Sequence, residues 1–212
     1  MAIDERRPGI RSQRRRGTGD RGAALVEASV VMPVFFLIVF SILEYGVLFK
    51  EALTVDEISR IAARTATAAG NDGDADYRAL RSIAAAVSAL EKGQLQRIVI
   101  YHASGPGDSL SSDTNADYVT CRSGTSVSGV CNVYVPSDID RGAADFGCDA
   151  GVAPDRFWCP NDRKVAQSGT NGPPDFIGVW VMATHESFTG LVQADETIGR
   201  GVVLRIEPRI LA

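Results

Sequence analysis

Apolar positions crowd into one stretch of this chain. From Ala23 to Phe49 (AALVEASVVMPVFFLIVFSILEYGVLF) almost every side chain is apolar, and sixteen residues between Glu27 and Glu44 carry no charge. About 20 helical residues cross a bilayer, so the pattern predicts a transmembrane helix over 23–49. A buried core helix of a soluble protein is the alternative. Leu48, Ala52, Val55, Ala62, Ala66 and Ala69 continue as an apolar stripe at helical spacing, with Lys50, Glu57, Arg60 and Arg64 mostly opposite. Asp56 and Arg60 form an i, i+4 pair on that helix. The predicted single helix is about 45 residues long, and Gly70 followed by Asn71-Asp72-Gly73 ends it. Glu44, beside Tyr45, is expected in the headgroup region at the outer end of the membrane segment.

Beyond Gly70 the pattern is mixed. Tyr77 to Glu91 reads as a second amphipathic helix, with Leu80, Ile83, Ala84, Val87 and Leu90 on one face and Lys92-Gly93 closing it. Gln96 to Ala103 is rich in Ile, Val and Tyr and reads as a strand. Residues 104–116 read as loop. Tyr118–Cys121 and Val130–Val135 alternate like two short strands of a hairpin. Residues 136–174 lack regular periodicity apart from one helical turn near Asp140–Phe146. Asp175–Thr184 and Gly199–Ile206 read as the strongest strands, with Val179, Val181 and Ala183 on one side and Trp180 and Met182 on the other. Strands that follow helices without strict alternation point to an α+β class: a small antiparallel sheet covered on one face by the 48–69 stripe and the second helix.

Charge divides the chain and orients it. The net charge of −4 conceals seven arginines against three acids in residues 1–22, and 15 basic against 23 acidic residues in the remainder. Basic flanks of a membrane segment stay in the cytoplasm. The expected organisation is a basic cytoplasmic leader (1–22), a transmembrane helix (23–49) and an extracytoplasmic domain (50–212), single-pass in the cytoplasmic membrane. With no basic patch elsewhere, the arginine-rich start is not read as a nucleic-acid arm.

Cys121, Cys131, Cys148 and Cys159 all fall in the outward domain, where an oxidising compartment favours disulfides. Four cysteines allow three connectivities. Short loops close most easily, which favours Cys121–Cys131 and Cys148–Cys159. The spacings lack any CxxC, and His102 and His185 are far apart, so no zinc site is expected. Asp138, Asp140, Asp145, Asp149 and Asp155 do not follow a calcium-loop spacing and read as a solvated acidic surface, with weak calcium binding as the rival. No catalytic motif or cofactor-binding turn is present. His185 and Glu186, adjacent at a strand end, point to opposite faces, so no dyad and no enzymatic activity is expected.

The stretch around Arg21-Gly22-Ala23-Ala24-Leu25-Val26-Glu27 resembles a type IV prepilin signal: a basic leader ending in Gly, then Glu at the fifth position of the product, then an apolar helix. The wider pattern RGAALVEASVVMPVFF, followed by ILEYG and ISRIAARTATAAG, resembles more narrowly the TadE-like proteins of tight-adherence (Flp-type) pilus assembly, and GRGVVLRIEPRI is similar to their terminal strand. Ala28 stands where the Flp-type pattern has Tyr. The resemblance implies a non-enzymatic pseudopilin, cleaved by a prepilin peptidase between Gly22 and Ala23. Its implied partners are membrane lipid and pilin or pilus-assembly proteins, and incorporation in a pilus is a further implication.

Two residues of the apolar segment carry chemistry. A carboxylate deep in a membrane costs about 2.5–3.5 kcal/mol on insertion scales, and less near an interface. The resemblance implies that Glu27 pairs with the amine of a processed N-terminus; read from the residues alone, it is an interfacial glutamate that snorkels or protonates. Pro33 removes the hydrogen bond to the Ser29 carbonyl and is expected to kink the helix. The alternative to a pilus component is a single-pass, membrane-anchored extracytoplasmic binding module unrelated to pili, contacting another protein through the cystine-bearing loops.

Overall fold

The structure, a computed structural model, describes residues 19–90, 93–148, 151–165, 173–187, 190 and 196–207. The leader arginines from Arg6 to Arg16, Glu91, Lys92 and Asp149 lie outside the described residues. The chain divides into two compact units, Met1–Ile42 and Leu43–Ala212.

Helix α1 runs from Gly19 to Ala69, 51 residues, continuing through Pro33 without interruption. It stops at Gly70, whose φ of +62° is the left-handed conformation that glycine adopts without a Cβ penalty. The Gly70 N–H returns to the Ala66 carbonyl at 2.9 Å, satisfying one of the last open carbonyls of the helix. The exposed pair Arg60 Nε to Asp56 Oδ2 is present at 2.9 Å.

In the second unit, α1 is followed by α2 (Ala75–Ala86) and a 3-10 turn at Val87–Ala89, then β1 (Leu95–Ala103), α3 (Ala116–Ser123), β2 (Cys131–Tyr134), β3 (Phe176–His185) and β4 (Glu196–Arg205). The strands form one antiparallel sheet in the order β2-β1-β3-β4. Ile98 stands opposite Val181 in β3 and Tyr134 in β2, and Val179 opposite Val202 in β4. The class is α+β, with the long helix and a second helix against a small antiparallel sheet.

Strand alternation sorts the core onto two faces. Ile98, Ile100, Ile177, Val179, Val181, Ala183 and Ile198 face Val55, Ile58, Ala62, Ala63 and Ala66 of α1 and Ala79, Leu80 and Ile83 of α2. The alanines bring the α1 backbone close to the sheet. Val99, Tyr101, Ala103 and Trp180 face the other way, onto Leu110, Tyr118, Cys121 and Cys131. The sheet is therefore covered on both faces, where the apolar pattern had suggested one.

The second cover arises from a segment whose pattern suggests a strand. Tyr118–Cys121 lies in α3, not in a hairpin. Tyr-Val-Thr favours a strand locally, but the boundary signals are helical. Asn115 caps the first turn through its side chain, accepting from Asp117 N and Tyr118 N at 3.0 and 3.4 Å. Asp117 lies in the first turn, Arg122 in the last, and Gly124 (φ +115°) closes the helix. The remaining irregular segment contains 3-10 turns at Pro136–Asp140, Ala143–Asp145 and Pro160–Asp162. Disulfides Cys121–Cys131 and Cys148–Cys159 have Cα separations of 6.3 and 5.7 Å. The first ties α3 to β2; the second closes the loop that carries Trp158.

Candidate functional site

Gly22, Ala23, Glu27 and Pro33 occupy the first turns of α1, and all four are exposed. A Cβ at Gly22 would meet nothing within 4 Å, so the Gly22–Ala23 bond is sterically open. It lies inside α1, in helical conformation. The helix is long and apolar enough to cross a membrane, with a most apolar window of mean hydropathy 2.4 and none of that window buried by protein. Its hydroxyls are satisfied within the helix: Ser29 Oγ donates to the Val26 carbonyl at 2.7 Å and Ser41 Oγ to the Leu37 carbonyl at 2.8 Å. This is the arrangement that removes the cost of a bare hydroxyl in hydrocarbon.

Within the second unit, α1 presents two carboxylates to one imidazole. His185, at the end of β3, places Nδ1 2.6 Å from Glu51 Oε2 and Nε2 3.4 Å from Glu44 Oε1. Gln94 Nε2 donates to Glu51 Oε1 at 2.9 Å, and the Gln94 carbonyl accepts from Thr184 N at 2.8 Å. Glu44 is only 3% exposed, buried by protein. Burial by itself would lower the pKa of His185. The hydrogen bond and charge of Glu51, followed by those of Glu44, outweigh it and raise the imidazole above its ordinary 6.5. From the sequence, His185 is weighed as a zinc ligand and as a partner of Glu186, and both readings are set aside. Glu44 and Glu51 are seven residues apart, two turns on one helix face, and that spacing was the available signal.

A second buried polar group joins α2, β2 and the cystine loop. Asp76 accepts from Arg163 Nη2 at 2.6 Å, Tyr134 Oη at 2.6 Å and Asn132 Nδ2 at 2.9 Å. The Asp76 and Arg163 side chains are fully buried. Asn132 also exchanges hydrogen bonds with the Trp158 backbone, donating at 2.8 Å and accepting at 2.9 Å. The Arg163 guanidinium lies over the Trp158 ring at 4.3 Å, and His102 stacks on the same ring at 5.2 Å. Burial, then the charge and hydrogen bond of Asp76, push the Tyr134 hydroxyl well above its ordinary value. His102 also lies 3.5 Å from Asp175. These contacts join α2, β2 and the cystine loop in one buried polar group.

The acidic residues of the loop region divide by burial. Asp140 and Asp145 are exposed, as a solvated surface requires. Asp155 is fully buried and accepts from Gly147 N and Cys148 N at 2.8 and 3.2 Å. It holds the turn beside the second cystine, in which Cys148 adopts φ +69°. Asp138 is buried, accepting from Val135 N at 2.8 Å and Arg141 Nε at 2.6 Å. The reading of all five as surface charge thus fails for these two, which the backbone recruits as turn caps. Among the described residues no cluster of three His, Cys, Asp or Glu side chains is arranged to hold a metal ion.

With this geometry in place, one comparison is informative. Residues 22–64 match the family model of TadE-like proteins. The TadE-like segment begins at Gly22, contains Glu27, Pro33, Glu44 and Glu51, and ends within α1, so it covers the apolar helix and most of its packed continuation. The matched residues include the helix that is long and apolar enough to cross a membrane. No curated protein and no solved structure matches the chain.

Proposed function

We propose that this protein is a structural or assembly component of a tight-adherence (Flp-type, type IV-related) pilus and acts without catalysis. Its apolar helix crosses the cytoplasmic membrane once, with the arginine-rich N-terminus in the cytoplasm and the cystine-bearing domain outside. The observation that carries this reading is the match of residues 22–64 to TadE-like proteins, which falls on the helix and begins at the candidate cleavage residue. Two further features support it. Two disulfides suit an oxidising compartment outside the membrane. The small residues Ala23, Ala24, Ala28 and Ser29 permit close approach of another helix in lipid.

In this reading a prepilin peptidase cuts between Gly22 and Ala23, and Glu27 then pairs with the new amine of a neighbouring pilin or pilus-assembly subunit. The deciding experiment is the mass of the protein purified from its own membrane. A mature chain starting at Ala23 supports processing. A chain that retains its first residues removes the processing step and leaves an unprocessed membrane-bound assembly component.

A further inference from the structure

A charge on a membrane helix matters to lipid only if it faces lipid. Between Glu27 and Lys50 the chain carries one ionisable residue with charge at neutral pH, Glu44. Counted from sequence, Glu44 ends the uncharged stretch after sixteen residues, which advance about 24 Å along a helix. That falls short of the roughly 30 Å of a bilayer core. In the structure Glu44 is turned into the domain and covered by His185, itself 4% exposed and 3.4 Å away. The outer surface of α1 therefore presents no charge from Ala28 to Phe49, 22 residues, or about 33 Å.

The side chains past Glu44 on that surface have the character that lipid requires. Tyr45, Phe49 and Leu53 follow at intervals of four and form one exposed ridge, Phe49 at 72% and Leu53 at 60% exposure. Shallow grooves flank the ridge. One runs between Gly46, Lys50, Thr54 and Ala86, the other between Leu48, Phe49, Ala52, Glu196, Ile198 and Arg200, so the domain's charges begin beside Phe49. The exposed Lys50 is the first charge to appear on the helix surface, where a cation meets lipid phosphate.

We infer that outer-leaflet lipid covers α1 as far as Phe49, with headgroups at Lys50 and Leu53, and that the Glu44–His185 contact sets this depth by withdrawing the one charge that would end the span a turn and a half earlier. This rests on the membrane-spanning reading of α1 given above, and the test separates the two.

The full-length chain is reconstituted in phosphatidylcholine vesicles with a nitroxide on one introduced cysteine at a time: Phe36→Cys, Gly46→Cys or Glu57→Cys. A Cβ at Gly46 meets nothing within 4 Å, so that probe does not disturb packing. Collision with oxygen, which concentrates in lipid, is compared with collision with a water-soluble nickel chelate. Positions 36 and 46 are expected to favour oxygen and position 57 the chelate. If 36 favours oxygen while 46 reads like 57, the inference is overturned and the membrane span stands. If 36 also reads like 57, the span itself is wrong and the inference falls with it. His185→Asn should move position 46 toward water by about one helical turn, 5 Å, and adding Glu44→Gln should return it to lipid. An unchanged position 46 in a folded His185→Asn protein would overturn the role given to the contact. The depth profile of the native background decides the lipid boundary even if that variant does not fold.

Discussion

His185 Nδ1 lies 2.6 Å from Glu51 Oε2, so an imidazole at the end of a sheet strand meets a carboxylate of the long helix. The pKa of His185 is raised in the folded protein. Its contribution to stability is therefore complete below the unfolded value of 6.5 and is lost as pH rises through the higher folded value. Among the described residues, Glu44 and Glu51 on α1 and neutral Gln94 lie against it, and Glu196 stands opposite it in β4. Thermal unfolding of the full chain in detergent should show a melting temperature that declines from pH 6.5 upward through the raised pKa. His185→Gln should remove this component of the decline. An equal decline in the variant would mean that another group is responsible.

The Asp76–Arg163 pair should show the asymmetry of a buried ion pair. Asp76→Ala leaves a buried guanidinium with its principal charge partner gone, along with the hydroxyl of Tyr134 and the amide of Asn132. The expected loss is about 3–5 kcal/mol. Combining Asp76→Leu with Arg163→Met removes both charges and should cost less than Asp76→Ala alone. Urea unfolding monitored by the fluorescence of Trp158, which packs against Arg163, reads both. A double variant no more stable than the single one would count against charge burial as the cause.

The main architecture was legible in the chain because it rests on periodicity. The stripe from Leu48 to Ala69 packs on the sheet, and Val179, Val181 and Ala183 face it while Trp180 points away. Residues 118–121 were read as a strand from their alternation, which over four residues is too short to outweigh the helix boundaries set by Asn115 and Gly124. The buried polar groups were not legible for a different reason. Asp76, the β2 pair Asn132 and Tyr134, and Arg163 come from three distant parts of the chain, and Glu44 and His185 are 141 residues apart. No local pattern shows that an acid is solvated or paired until the fold brings its partner to it, and Asp138 and Asp155 illustrate the same point. The candidate residues Gly22, Ala23, Glu27 and Pro33 were legible through resemblance to a signal, and their placement on an exposed helix neither adds to nor subtracts from it.

Cys131→Ala should destabilise the domain by about 2–4 kcal/mol, since the cystine with Cys121 joins α3 to β2 across a separation of ten residues. Both sulfurs lie in the core layer under Tyr101 and Trp180, so the variant also leaves a gap there. The urea midpoint of the full chain, compared with that of Cys159→Ala, tests whether each bridge stabilises its own segment. If neither variant shifts the midpoint, the bridges do not stabilise the fold.

Glu27→Ala tests the assembly reading most directly. Glu27 is exposed on α1 and lies five residues into a chain that would begin at Ala23. Removing its charge lowers the cost of placing the segment in lipid, so insertion should be preserved or improved. The same change removes the acceptor for a neighbouring subunit's amine. The expected outcome is a variant recovered in the membrane at wild-type level while surface fibres fall at least tenfold. Membrane fractionation measures the first quantity and electron microscopy of cell surfaces the second. Glu27→Gln separates charge from shape: it retains a hydrogen-bond acceptor of the same size, and it should assemble as poorly as the Ala variant if the ion pair is what matters. Fibres at wild-type density in both variants would show that Glu27 is only an interfacial residue, with no part in joining subunits.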